Sequence, residues 1–136
     1  MTTNSTFATT INCIDGRVHK PVRQWMQKQF KVDYLDRITV PGPDNILTTG
    51  SSATLADIRA QVEISVTKHG SKIVTIVGHY DCAGNPVDED KHMQQIAASV
   101  AQVQSWNLPV QVIGLWVDSS WNAQPIENFA GERIVE

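Results

Sequence analysis

The chain has 136 residues, 41% of them hydrophobic and 18% charged, with a formal net charge of −3. That length predicts a single domain over residues 1–136, able to bury about two thirds of its unfolded surface, and the apolar content excludes a disordered chain. The acidic balance excludes a nucleic-acid footprint, no apolar run approaches the ~18 residues of a membrane span, and the polar start lacks the basic-then-apolar order of a signal peptide, so a cytoplasmic protein is expected.

Residues 7–15 (FATTINCID) mix apolar and β-branched side chains and predict a strand. Helical spacing follows at Val18, Val22, Trp25, Met26 and Phe30. Pro21 fits a first turn, where its missing N–H costs little. Residues 32–40 (VDYLDRITV) predict a second strand, which Pro41-Gly42-Pro43-Asp44 ends because two prolines cannot continue a ladder. A polar stretch over 48–54 leads into a second helix with a buried stripe of Leu55, Ile58, Val62 and Val66 and a stop at Gly70. The continuous apolar run at 72–78 (KIVTIVG) predicts a strand covered on both faces, as in a parallel sheet.

The loop 79–86 (HYDCAGNP) follows at the carboxyl end of that strand. Asp88 to Asp90 open a third helix, with its stripe at Met93, Ile96, Ala97, Val100 and Val103. Asn107 and Pro109 end it, residues 110–117 (VQVIGLWV) predict a fourth strand, and an edge strand is expected around 121–126. Strands alternating with helices predict an α/β fold of three layers: a mostly parallel central sheet of four to five strands flanked by helices.

In such sheets ligands bind outside the carboxyl ends of the strands. Two segments there carry unusual residues, Cys13-Ile14-Asp15-Gly16-Arg17 and Gly78-His79-Tyr80-Asp81-Cys82. If the first and third strands are neighbours, Cys13, His79 and Cys82 converge. Two thiolates and an imidazole suit tetrahedral zinc, and three protein ligands leave one position open, as in catalytic sites. The alternatives are buried core thiols or a single bridge. In an extended stretch, positions 13, 15 and 17 face one side; a forked pair from Arg17 would then keep Asp15 ionised and aimed. The bland counterpart is an ordinary surface ion pair.

Asp81 is expected either to cap a turn or to orient His79. His19, His69 and His92 fall on helical segments and are expected to face solvent, and Trp25, Trp106, Trp116 and Trp121 to serve core and interface. No C-x-x-C, G-x-G-x-x-G, P-loop, G-x-S-x-G or Cys-x5-Arg motif is present.

The pair of motifs Cys13-x-Asp15-x-Arg17 and Gly78-His79-x-x-Cys82 resembles the β-class carbonic anhydrases, and the resemblance runs from the first predicted strand through the fourth. It implies Cys13, His79 and Cys82 as ligands of one Zn2+ per chain, and Asp15 and Arg17 as the catalytic dyad. The fourth zinc position would hold water or hydroxide in an open state, or Asp15 in a closed one. The implied activity is hydration of carbon dioxide to bicarbonate by a zinc-bound hydroxide, in a homodimer or higher homo-oligomer with no nucleic-acid or membrane partner. Alternatives on the same site are hydrolysis of carbonyl sulfide or carbon disulfide, or zinc binding without turnover.

Three departures mark a short, divergent member. Gly16 stands where the family commonly has serine. Residues 39–44 (TVPGPD) stand where it usually has an Arg-Asn-Ala-Gly-like segment lining the pocket. Twelve residues precede Cys13, so the amino-terminal arm of many members is expected to be missing.

Overall fold

The strand–helix alternation is realised as β1 (Phe7–Asn12), α1 (His19–Phe30), β2 (Tyr34–Thr39), α2 (Pro43–Thr49), α3 (Ser52–His69), β3 (Ile73–His79), α4 (Glu89–Gln104), β4 (Gln111–Val117) and β5 (Ala123–Pro125). This is a computed structural model, and it describes residues 5–126. The five strands form one sheet in the order β2-β1-β3-β4-β5. All neighbours are parallel except β5, which runs antiparallel to β4 at the edge.

Side chains alternate across each strand and so build two cores. Ala8, Val77, Leu115 and Val117 pack with Val22 and Met26 of α1 on one face. Ile11, Ile38, Val74 and Ile76 pack with Leu47 of α2, Ile58 and Val62 of α3, and Val100 and Val103 of α4 on the other. The predicted three-layer α/β architecture is therefore the one observed. Among the described residues, no helix is long and apolar enough to cross a membrane.

Three local differences from the sequence reading bear on the site. β1 ends at Asn12, and residues Gly16–Val18 form a 3-10 turn instead of extended chain. The Pro41-Gly42-Pro43-Asp44 run ends β2 but also starts α2, with Pro43 in the first turn, where a missing N–H removes no intrahelical bond. α3 begins after Gly50, where the Ser51 hydroxyl accepts from the Thr54 backbone N–H.

β1 lies between β2 and β3. The chain leaves β1 toward one side of the sheet and later returns on the other. The crevice beyond the carboxyl ends of β1 and β3 is thus a topological switch point, where sheets of this type bind ligands.

Candidate metal centre

Cys13 follows β1 directly, His79 is the last residue of β3, and Cys82 sits three residues further on. All three are buried, and their donor atoms lie within 4.8 Å of one another. Both cysteines are free, with Sγ atoms 3.8 Å apart. Two sulfurs each ~2.3 Å from a tetrahedral zinc stand about 3.8 Å apart, so the observed spacing suits one shared ion.

His79 is prepared for the same task. Its Nδ1 donates to the carbonyl of Tyr80 at 2.8 Å. A carbonyl only accepts, so the proton sits on Nδ1 and the Nε2 lone pair is free. That Nε2 is buried and has no partner among the described residues.

The Cys82 thiol is pushed up to about 11 by burial and by neighbouring Cys13, against the pull of the Gly84 and Asn85 backbone N–H groups. The Cys82 thiol therefore does not ionise readily unaided. A cation between the two sulfurs would supply the missing charge.

Asp15 and Arg17 meet, but not as alternate positions of a strand. Asp15 caps the 3-10 turn, accepting from the Arg17 backbone N–H at 2.9 Å. The guanidinium then grips the carboxylate as a fork, Nε to Oδ1 at 3.0 Å and Nη2 to Oδ2 at 2.6 Å. These hydrogen bonds from Arg17 hold the Asp15 carboxyl at about 2, against a smaller opposing effect of burial. The same pairing raises Arg17 above its ordinary value. A Cβ at Gly16 would meet nothing within 4 Å. The position therefore has room for a side chain.

Arg17 also ties three segments together. Its Nη2 donates to the Asp81 carbonyl at 3.1 Å, and its guanidinium lies 4.4 Å over the ring of Trp121. The Asp81 carboxylate is exposed and faces Arg17 at 3.4 Å. It does not orient His79, whose Nδ1 partner is the Tyr80 carbonyl next in the chain. Trp106 and Trp116 are core residues, whereas Trp121 packs on the site through Arg17.

The expectation for the helical histidines needs correction. His19 and His69 are half-buried, and His69 bonds Asp36 at 2.6 Å. His92 is 1% exposed, and its Nδ1 bonds Asp44 Oδ2 at 2.6 Å. The helical stripe of α4 runs through polar positions: Gln95 and Ser99 are buried beside Ile96 and Val100. Spacing alone points to His92, three residues before Gln95 and four before Ile96, but its polarity sets it aside.

Asp44, read as a strand terminator, is itself 1% exposed. It accepts from Asn85 Nδ2 at 3.0 Å as well as from His92. Beside this network a cleft of about 470 Å³ reaches Cys82, lined also by Tyr80, Val87, His92 and Trp116.

Residues 3–127 match a protein-family model described as "Putative carbonic anhydrase". Solved structures similar to this chain include a β-carbonic anhydrase, isoform I, from Trichomonas vaginalis. It has a TM-score of 0.61 and 17% identity, over 93% of this chain and 86% of that one. A carbonic anhydrase from Glaciozyma antarctica gives 0.56 and 14%, over 86% and 80%. One of two tetrameric β-carbonic anhydrases from Sordaria macrospora gives 0.51 and 16%, over 90% and 80%. A search of curated proteins finds no match. At these identities the structural likeness establishes the fold.

Proposed function

This chain belongs to the carbonic anhydrase family, and from that premise we propose that it hydrates carbon dioxide to bicarbonate with one zinc per chain held by Cys13, His79 and Cys82. The observation that carries the reading is the convergence of three buried donor atoms, within 4.8 Å, from the ends of two neighbouring strands. When bound, zinc is a Lewis acid that lowers the pKa of water from 15.7 toward ~7.

The protein's own groups do the rest. His79 presents Nε2 because Tyr80 fixes its other nitrogen. Asp15, kept ionised by Arg17, accepts a hydrogen bond from the attacking water and turns its lone pair toward carbon. Arg17 engages both carboxylate oxygens and so restrains Asp15 from swinging in among the ligands. Carbon dioxide is apolar and suits the Val87 and Trp116 walls of the cleft. One C–O bond forms, a C=O electron pair moves onto oxygen, and one proton leaves to buffer, giving bicarbonate. The reading includes a homodimer or higher assembly, in keeping with the tetrameric Sordaria macrospora relative.

Stopped-flow hydration tests it. Zinc-loaded protein should turn over, zinc-stripped protein should not, and zinc should restore the rate. Asp15→Ala should keep its zinc and lose about 10²–10⁴-fold in rate. No hydration above the stripped protein at any pH would overturn the activity. Carbonyl sulfide and carbon disulfide in parallel assays separate the hydrolase alternative.

A further inference from the structure

We propose that Asp44 is a positioning residue for the Cys82 side of the metal centre, acting through Asn85. The inference rests on the zinc reading above.

Asp44 lies at the start of α2, far from Cys82 in sequence, yet its carboxylate is held at both oxygens. Oδ1 accepts from the Asn45 backbone N–H at 3.2 Å and from Asn85 Nδ2 at 3.0 Å, and Oδ2 meets His92 Nδ1 at 2.6 Å. Its carbonyl accepts from the Thr48 hydroxyl at 2.7 Å and the Ser99 hydroxyl at 3.0 Å. The residue is thus fixed against α4 as well as within α2.

Asn85 is 3% exposed. Its Nδ2 also donates to Gln95 Oε1 at 2.7 Å. A carboxylate only accepts, so Asp44 dictates which way this amide points. The Asn85 backbone N–H in turn donates to the Cys82 carbonyl at 3.3 Å. The N–H groups of Gly84 and Asn85 also face the Cys82 sulfur. The path therefore runs from carboxylate to amide to the backbone donors around the ligand atom.

The two loops also touch directly. Gly42 has φ +59, and a Cβ there would sit 2.8 Å from Asn85 Cβ; one on Gly84 would sit 2.8 Å from Pro41 Cβ. Only paired glycines allow this approach. The Pro41-to-Asp44 segment thus braces the turn that carries Cys82. Groups that hydrogen-bond around a metal ligand tune its affinity, by about 10–100-fold when removed.

The test uses the full chain as wild type, Asp44→Asn, Asn85→Ala and the double variant. Zinc affinity is read by chelator competition, and ligand geometry by the visible bands of the cobalt(II)-substituted protein. Each single variant should bind zinc about 10–100-fold more weakly, with altered cobalt bands. The double variant should be no weaker than the worse single, because both cut one path. Thermal midpoints of the metal-free chains separate this from general loosening.

Affinity within about twofold of wild type and unchanged cobalt bands in Asp44→Asn would overturn the proposal. Should that variant not fold, the same result in Asn85→Ala overturns it. If wild type binds no zinc, the zinc reading itself fails; if wild type binds and the variants match it, only the role of Asp44 fails.

Discussion

Two carboxylates flank the candidate metal centre, and they are held in opposite ways. The Asp15 side chain is 20% exposed and paired with an Arg17 side chain that is 47% exposed. Asp44 is 1% exposed and bonded to His92, which is equally buried, and to Asn85. An exposed ion pair adds little to stability because water screens it. A buried network strengthens each bond but leaves costly orphans when one member goes. The solvent-facing pair is therefore suited to aiming a reactive group, and the buried one to fixing geometry.

The largest expected effect falls on the buried side. Asp44→Ala strands the buried His92 Nδ1, leaves Asn85 Nδ2 with Gln95 Oε1 alone, and should cost on the order of 2–5 kcal/mol. Urea denaturation of the metal-free chain measures it; a loss no larger than that of Asp15→Ala would erase the contrast. On the exposed side the effect should be on rate, not folding. Arg17→Lys keeps the charge but loses the fork, and should lower hydration by about 10–100-fold with the denaturation midpoint nearly unmoved.

Acid titration sharpens the same contrast. Asp15 is held at about 2, below its ordinary 3.8, so its contribution to stability is complete above the unfolded value. It is lost as pH falls through the folded one. Wild type and Asp15→Asn should therefore keep a constant stability difference above about pH 4 and converge toward pH 2. A difference that changed around neutrality would show that Asp15 is not held by Arg17. The smallest effect is expected for Trp121→Leu, which removes the ring under Arg17. It should cost about two- to fivefold in rate, and a larger loss than Arg17→Lys would reverse the assigned order.

Much of this architecture is legible in residue pattern. The run at 72–78 reads as a strand buried on both faces, and in the sheet every residue from Val74 to His79 is buried. Cys13 and His79 stand out because scarce ligand types fall at adjacent strand ends. The partnership of Asp15 with Arg17 was legible from charge, but its geometry was not, since a cap on a 3-10 turn brings together what alternate strand positions were expected to align. α2 was hidden by its prolines, which break a ladder and equally well begin a helix. The network of Asp44, Asn85 and His92 was hidden by polarity. Each is a residue type that belongs on a surface, and only the packing of the start of α2 and the Cys82 turn against α4 buries them together.

Metal content of the purified full chain after dialysis tests the central claim most directly. The account predicts one zinc per chain, lost when His79 is replaced by alanine or Cys82 by serine. A metal-free wild type, or zinc that stays at full stoichiometry and affinity in those variants, would contradict it.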